Sequence, residues 1–426
     1  MRGAVGSLLV AGWFIGSAWG GELADVLRET RDHPALAAAA SRVEAAEDSL
    51  SAARRRSLGA GGVLVEGARY EDQRFVGVLS PQALARPPFA RDLMTYGVAY
   101  SVPIDWAGVI AAARRAGESD LVAARLAERQ TALMKLHAAT SAYVQLQALL
   151  SQRDILAVQR ERVSQTVQRV EIEVQTEQSS TADLRLAQAE LARLRSDEVR
   201  LAGEIAAQQA MLEEAIGRRL LPAQGIIESP VWADAPSADL LPAALAEAQA
   251  QAAGAQAREV QRSLWPALAA GGEYVQFDGN GEEPDAWSLS ARLSIPIDPA
   301  SRKRAESAQA QAQAARQAQR AALRETQRDW LALHSAYQAA RADIDALAVE
   351  TTARREVVRV QAELQRVGLV SLEDFLRQQR DQLEAEARLT QAQAGAITAW
   401  SAAQVLRGAS TEEYISALEA REASLR

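Results

Sequence analysis

The sequence has 426 residues, a formal net charge of −8 and no cysteine. A mildly acidic chain lacks the basic footprint of a nucleic-acid-binding protein, and a chain without cysteine has no disulfide, thiolate metal site or lipidated N-terminal cysteine. We therefore expect a protein that is not lipidated and binds no nucleic acid.

The first 20 residues have the pattern of a secretory signal peptide. Arg2 supplies the positive charge, residues 4–16 are apolar, and Ala18-Trp19-Gly20 places small residues at a cleavage site. This segment is short for a spanning helix, and no later run reaches about 18 uninterrupted apolar residues. We expect a mature chain outside the cytoplasm, either soluble or inserted in a membrane as a β-barrel.

The chain repeats itself with a period of about 190 residues. Ser101-Val102-Pro103-Ile104-Asp105 recurs as Ser294-Ile295-Pro296-Ile297-Asp298, and each copy leads into a long stretch without proline. This indicates one duplicated domain. In chain order we predict a first repeat over 21–217 (short helix 22–57, β-hairpin 61–104, helical hairpin 108–217), a linker over 218–237, a second repeat over 238–408 (short helix 238–264, β-hairpin 269–297, helical hairpin 300–407) and a C-terminal tail over 409–426.

The second strand of each β-hairpin alternates between apolar side chains and small or polar ones. Alternation over about ten residues, with aromatic residues near the ends, is typical of a strand with one face in lipid and one in water. The first strand of each hairpin alternates less regularly, and we assign Glu66, Arg69 and Glu273 to neither face of the sheet. We predict these membrane-facing residues: Tyr96, Val98, Tyr100 and Val102 in the first hairpin, and Trp287, Leu289, Leu293 and Ile295 in the second.

Two strands in each repeat cannot close a barrel, and lipid does not tolerate an open sheet edge. Strands in lipid would therefore need several chains to complete the barrel. Three chains would supply twelve strands, which is enough to enclose a channel. The alternative is a pair of solvated hairpins on a soluble coiled coil, which would leave apolar patches exposed.

Each long helical stretch must fold back, because a single helix over 108–217 would be about 165 Å long. The polar cluster over 176–181 supplies the first turn. In the second turn, Gly368 suits the position after a helix end, and Ser371 with Asp374 suits the start of the next helix. Apolar residues three and four apart predict paired helices of the coiled-coil type, although an ordinary soluble helical bundle gives the same spacing.

Together these features resemble the TolC-type outer-membrane factors, the exit ducts of tripartite efflux pumps and type I secretion systems. The resemblance rests on the duplication, on the two Ser-Val/Ile-Pro-Ile-Asp strand ends and on the tip segment Arg366–Leu376, which reads Arg-Val-Gly-Leu-Val-Ser-Leu-Glu-Asp-Phe-Leu. It covers essentially the whole mature chain. The counterpart of this tip in the first repeat, Ser180–Leu184, lacks the glycine.

The resemblance implies a mainly α fold with a small β part. Duplicated long α-helical hairpins would form a coiled-coil barrel or tunnel, and four transmembrane β-strands per chain would contribute to a trimeric 12-stranded β-barrel. It further implies a homotrimer in the outer membrane of a Gram-negative bacterium, in contact with outer-membrane lipid and spanning into the periplasm. Its partners would be a periplasmic adaptor protein and an inner-membrane transporter, and it would conduct substrate passively.

The resemblance also assigns roles to the tips of the helical hairpins. Asp374 would form a ring that constricts the entrance, with Asp183 and Arg377 as further constriction residues. Family members often carry a second acid where this chain has Arg377, and some lock the entrance with an arginine where it has Val370. A carboxylate in the first turn of a helix also stabilises that helix through its dipole alone. The adaptor would dock at the tips, on Gly368, Leu369, Val370, Ser371, Ser180 and Thr181.

Two other functions have to be weighed against a channel. A periplasmic coiled-coil adaptor or scaffold without a pore also has long helical hairpins, but normally one per chain and without amphipathic strand pairs. A secreted enzyme on a helical scaffold would need a pocket with titratable groups. The histidines His33, His137 and His334 are scattered, and no motif of a nucleophile, phosphate loop or metal site stands out. We therefore expect no catalysis, no cofactor and no metal.

Overall fold

The computed structural model of the chain describes residues 22–79, 88–222, 225, 227–232, 240–279 and 284–423. The predicted signal peptide lies outside these residues, as do parts of the linker and of the two loops between strands. No helix in the described part of the chain is long and apolar enough to cross a membrane.

Two similar series of elements follow one another along the chain. In order they are α1 (Glu22–Glu29), α2 (Pro34–Arg55), β1 (Ala60–Phe75), β2 (Phe89–Ile104), α3 (Val109–Gln175), α4 (Thr181–Ile216), α5 (Leu241–Arg262), β3 (Ala267–Asp278), β4 (Asp285–Ser294), α6 (Pro299–Arg366), α7 (Leu372–Arg407) and α8 (Thr411–Ala423). The predicted fold class is confirmed: the chain is mainly helical, with two long helical hairpins and four strands.

The single short helix predicted over 22–57 is wrong, because the chain forms two helices there. A 3-10 turn follows α1, His33 is extended with ψ at 133°, and Pro34 opens α2. Proline lacks an N–H group and clashes with the preceding helical turn, so a helix accepts it only in its first turn. The imidazole of His33 caps the new helix by accepting from the amide of Ala35 over 3.0 Å.

The four strands form one antiparallel sheet in the order β1-β2-β3-β4. The first hairpin keeps its predicted bounds to within one residue, and its strands are long, since β1 continues to Phe75 and β2 begins at Phe89. The last strand is shorter. Because β3 begins at Ala267, which pairs with Ser294, the ladder offers no partner to Ile295, and that residue lies just beyond β4.

The aspartate that ends each copy of the repeated motif starts a long helix. Asp298 is the N-cap of α6, and its carboxylate accepts from the amide of Ala300 over 2.9 Å. This backbone hydrogen bond, together with the hydroxyl of Ser301, lowers the pKa of Asp298. Asp105 accepts from two amides in the first turn of α3, at 3.0 and 2.9 Å. The motif thus occurs twice because the chain passes twice from a strand into a long helix.

Helices α2 to α7 pack side by side as one layer that extends from one end of the sheet, and we call this layer the helical wall. The long helices α3 and α6 have 67 and 68 residues, so each is about 100 Å long. Helix α4 packs along α3, and α7 packs along α6. Helices α5 and α7 also contact α3, α5 in the half near the sheet and α7 in the half near the turns. Of the two long helices, α2 packs on α3 and has no extensive contact with α6 within the described residues.

The C-terminal tail, to which the sequence assigned no element, contains helix α8. Tyr414 is fully buried, and its hydroxyl donates to the hydroxyl of Thr140 on α3 over 2.8 Å. The Tyr414 hydroxyl also hydrogen-bonds with Ser401 on α7. Helix α1 packs against α8, and both contribute apolar side chains to the main core. Members of this core include Leu23, Val26, Leu27, Leu133, Tyr143, Leu146, Leu194, Leu212, Ile397, Tyr414 and Leu418.

The turns at the ends of the two helical hairpins have the same hydrogen bonds. In the first turn, the amide of Gln178 donates to the carbonyl of Glu173 over 2.7 Å. In the second turn, the amide of Leu369 donates to the carbonyl of Leu364 over 2.9 Å. Each is the long bond of a Schellman motif, which satisfies carbonyls at a helix end and needs one residue with positive φ.

That residue is a glycine in only one of the two turns. Gly368 has a φ of 75°, and the corresponding residue of the first turn, Glu177, has a φ of 57°. A side chain at positive φ brings its Cβ atom close to the backbone, which costs about 1 to 2 kcal/mol. The first turn therefore carries backbone strain that the second turn avoids.

Replacing Glu177 by glycine should stabilise the first turn by about 1 kcal/mol, because glycine adopts positive φ without that steric cost. Gly368→Ala should destabilise the second turn by a similar amount. Amide hydrogen exchange measures both effects locally. Protection at Gln178 should rise about fivefold in Glu177→Gly, and protection at Leu369 should fall about fivefold in Gly368→Ala. Unchanged protection in both variants would contradict this account of the turns.

Candidate functional site

The strand register builds one apolar face that crosses the whole sheet. Residues that are directly paired in an antiparallel ladder lie on the same face. The pairings place Val63 opposite Val98, Val98 opposite Tyr274, and Tyr274 opposite Trp287. These residues are exposed in the single chain, with 80% of Val63 and 74% of Trp287 accessible to solvent. The next row consists of Gly61, Tyr100, Gly272 and Leu289.

The structure brings nearly all of the predicted membrane-facing residues together on this apolar face. Val102 lies on it too but is half-buried, and Ile295 lies beyond the end of β4. Sequence reasoning missed Val63, Val65 and Tyr274, which come from the two strands with less regular alternation. The register with the neighbouring strands is the signal that identifies them. The predicted residues within the strands and exposed are Tyr96, Val98, Tyr100, Trp287, Leu289 and Leu293.

The opposite face of the sheet is formed mainly by small and polar side chains. One of its rows is Gly62, Ala99, Glu273 and Ser288, and the next is Ala60, Ser101, Gly271 and Ser290. This resolves two of the open assignments, because Glu273 and Glu66 both fall on this polar face. Arg69 instead lies at the loop end of the apolar face, 3.4 Å from the carboxylate of Asp92.

The sheet has two free edges in the described part of the chain. Strands β1 and β4 each pair with one neighbour, so each leaves a row of backbone N–H and C=O groups without a strand partner. Within the described residues no α-helix packs extensively on the sheet, and the large side chains of the apolar face remain exposed. A single chain therefore satisfies neither the edges nor the apolar face of its sheet.

At the far end of the wall, a serine caps the return helix of each hairpin. Ser180 and Asp183 form a capping box, in which the amide of Asp183 donates to the Ser180 hydroxyl over 3.1 Å. Ser371 caps α7 and accepts from the amide of Asp374 over 3.0 Å. Asp374 also forms an ion pair with Arg377, with 2.6 Å between Oδ1 and Nη2.

The turns and the first residues of the return helices form two exposed tips, the first tip over 176–186 and the second tip over 367–377. The structure places Asp374 and Arg377 in direct contact on one helix, whereas Asp183 makes its hydrogen bonds within its own turn on the other hairpin. Leu369 is 73% exposed, and Val370 is partly exposed. The predicted docking residues are therefore divided between the tips: Ser180 and Thr181 on the first, and Gly368, Leu369, Val370 and Ser371 on the second.

An ion pair with a buried carboxylate joins the two hairpins within three turns of these tips. Glu190 on α4 is only 6% exposed, and its carboxylate binds Arg193 on the same helix at 2.6 Å and Arg380 on α7 at 2.9 Å. Burial raises the pKa of Glu190, but the hydrogen bonds and charges of the two arginines outweigh burial and hold this pKa below its ordinary value. The sequence could indicate the Arg193 contact by its spacing, but not the contact with α7.

A groove of about 840 Å³ lies between α3, α6 and α7 in the half near the tips. The residues that line it include Phe375, Gln379 and Leu383. In the described part of the chain, no cluster of three or more histidine, cysteine or carboxylate side chains is placed to hold a metal ion. Five arginines also line the groove, and one of them, Arg355, pairs with Glu386 of the same lining at 2.6 Å. The other four are Arg162, Arg169, Arg359 and Arg366.

No family model matches this sequence, and no curated protein matches it. Solved structures do match. The outer membrane protein VceC of Vibrio cholerae is 18% identical with a TM-score of 0.76, and the match covers 92% of this chain and 97% of VceC. The CmeC outer membrane channel of Campylobacter jejuni is 14% identical with a TM-score of 0.77, covering 95% of this chain and 90% of CmeC.

The chain has the fold of the TolC-type outer-membrane channels. The structure of the open state of the MtrE outer membrane channel of Neisseria gonorrhoeae is also similar to this chain. It is 16% identical with a TM-score of 0.76, and the match covers 91% of this chain and 89% of MtrE. At such identities the likeness establishes the fold. The resemblance to the TolC type that the sequence motifs indicated is thus confirmed at the level of the fold.

Glu190→Gln should loosen the contact between the hairpins by about 1 to 2 kcal/mol at neutral pH, because it removes a charged acceptor from two arginines. The folded-state pKa of Glu190 is lowered. Its stabilisation is therefore present above the ordinary glutamate pKa of about 4.3 and is lost as pH falls through the folded-state pKa.

Amide exchange in the first turns of α4, measured from neutral to acidic pH, would follow this difference. Glu204→Gln is the matched control, because Glu204 on the same helix pairs with Arg200 at the surface and should contribute less than about 1 kcal/mol. A difference between Glu190→Gln and the parent that stays constant down to acidic pH would contradict the assignment.

Proposed function

We propose that this protein is a homotrimeric channel in the outer membrane of a Gram-negative bacterium, the exit duct of a tripartite efflux pump or type I secretion system. The observation that carries the proposal is the four-stranded sheet, whose apolar face and two edges are unsatisfied in one chain. The matched solved structures, described as outer membrane proteins and channels, support the same assignment.

The sheet supports closure by several copies. In lipid every backbone polar group must find a partner within the protein, so an open sheet must become a barrel. Three copies of the sheet would supply twelve strands, enough for a barrel that encloses a path. The apolar face would then contact outer-membrane lipid, and the face with Glu273, Ser288 and Ser290 would line the water-filled interior.

The helical wall supports closure independently. Helix α3 has neighbours from both repeats: α2 and α4 of its own, α5 and α7 of the other. The equivalent helix α6 has only α5 and α7 of its own repeat as main neighbours within the described chain. The duplication therefore predicts that α2 and α4 of a second copy cover the open side of α6. Large apolar side chains remain exposed on α6, among them Leu323, Leu331 and Val349.

Counting from the tips predicts where this contact between copies would lie. Within the chain, the side chain of Gln159 on α3 donates to that of Gln379 on α7 over 2.9 Å, and both residues are buried. Because the two turns match residue by residue, the counterpart of Gln159 is Glu350 on α6 and the counterpart of Gln379 is Gln188 on α4. We expect Glu350 of one chain to face Gln188 of the next.

The helical walls of three copies, joined side by side, would enclose a tunnel about 100 Å long that crosses the periplasm. The protein would act as a passive path, and energy would come from an inner-membrane transporter. A periplasmic adaptor would connect the two, docking at the exposed hairpin tips. A scaffold without a pore would not need a sheet with an apolar face, so the sheet favours the channel over the adaptor alternative.

Leu289→Arg tests the proposal, since it places a charge at the middle of the apolar face. A charge there should cost about 2 to 4 kcal/mol on insertion into a bilayer. We expect the variant to be depleted from the outer-membrane fraction and to lose conductance in planar bilayers. Ser290→Arg is the matched control, because the neighbouring residue lies on the polar face and should still insert.

Two results would contradict the proposal. One is a parent protein that fractionates with the periplasm and forms no conducting trimer. The other is equal insertion of Leu289→Arg and Ser290→Arg.

A further inference from the structure

The two tips share their backbone geometry but differ in where their charges lie. Asp183 and Asp374 occupy the same position, three residues after the capping serine of their helix. One turn further along, the second tip has Arg377 where the first has Leu186, a partly buried apolar residue. The first tip carries its arginine as Arg185, two residues after Asp183 and on a different side of the helix. The duplication therefore provides an internal comparison between a tip carboxylate that is paired with an arginine and one that is not.

Both carboxylate oxygens of Asp374 have a donor. Oδ1 accepts from the guanidinium of Arg377 over 2.6 Å, and Oδ2 accepts from the hydroxyl of Ser371 over 2.8 Å. The donors to Asp183 come from its own turn, with the hydroxyl of Ser180 at 2.7 Å, and none of them is a cation. Asp374 is thus paired with an arginine on its own face of the helix, whereas Asp183 is not.

This compensation does not depend on a permanent contact. Asp374 and Arg377 are about half exposed, and a surface ion pair of this kind adds little to stability. However, Arg377 is fixed one turn away on the same helix, which is within the screening length of about 8 Å at physiological salt. In any rotamer, an ion passing the second tip meets a pair of opposite charges instead of a free carboxylate.

We propose that Arg377 sets the charge selectivity of the tunnel entrance by neutralising Asp374. This inference rests on the proposed channel function, in which three copies of each tip surround the entrance. The three Asp374 carboxylates then add no net charge. The remaining tip acids, Glu177, Asp183 and Glu373, outnumber the remaining tip arginine, Arg185, and leave a weak preference for cations. The entrance admits neutral and anionic solutes as well, so the exported substrate need not be a cation.

The test is the K⁺/Cl⁻ permeability ratio, obtained from reversal potentials across planar bilayers under a KCl gradient. Arg377→Gln should raise this ratio by roughly threefold to tenfold, because it uncovers three carboxylates around the path. Asp374→Asn should lower it by a similar factor while keeping the backbone cap. The double variant should return to within about twofold of the parent, because the two charge changes cancel.

Arg302→Gln is the control for a non-local effect of charge. It makes the same change in charge in the first turn of α6, about 100 Å from the tip by helical rise. Its ratio should stay within about twofold of the parent. Size-exclusion chromatography in detergent, with an unchanged trimer peak, confirms that each variant is assembled.

The inference and the proposed function fail in different ways. A parent channel that conducts, with a ratio in Arg377→Gln within twofold of the parent, overturns the role of Arg377 and leaves the channel intact. Equal shifts in Arg377→Gln and Arg302→Gln overturn it as well. A parent protein that forms no conducting pore overturns the channel function, and this inference with it.

Discussion

The sheet of this protein has two edges and one apolar face, and one chain cannot satisfy any of the three. Backbone groups at an edge need hydrogen-bond partners when water is excluded, and an apolar face that extends from Val63 to Trp287 needs an apolar environment. In the proposed trimer, copies of the same sheet would meet the first need and outer-membrane lipid would meet the second. The proposed trimer, membrane and transport role all depend on this constraint.

The same incompleteness recurs in the helices, and the duplication explains why. Each repeat places a short helix and a return helix beside a long one, and each long helix can accept neighbours from a second repeat. Within one chain this happens once, at α3, and the open side of α6 remains. The repeated motif that ends in Asp105 and Asp298 joins the sheet directly to the helices, because each aspartate caps a long helix just after a strand. In the proposed trimer, the same neighbouring copy would therefore close both the sheet and the helical wall.

Much of this could be predicted from the sequence, since strand and helix periods and the distribution of proline and glycine are local signals. The faces of β1 and β3 could not, because glycines and charged residues such as Glu66 and Glu273 interrupt their alternation. Only the register with β2 and β4 assigns them. The contact between Glu190 and Arg380 joins helices far apart in sequence, so no spacing indicates it. The break at Pro34 was readable, since proline ends a helix at the preceding residue.

Chemical cross-linking across the predicted contact between copies tests the central claim most directly. The chain has no cysteine, so cysteines placed at Gln188 and Glu350 can be joined by a short bismaleimide reagent without background. The account predicts cross-linked products on a denaturing gel that contain up to three chains and no more. The control pair, Gln159 and Gln379, is in contact within one chain and should give only an internally linked monomer. If the Gln188 and Glu350 pair yields no product between chains, the copies do not close the wall and the account is contradicted.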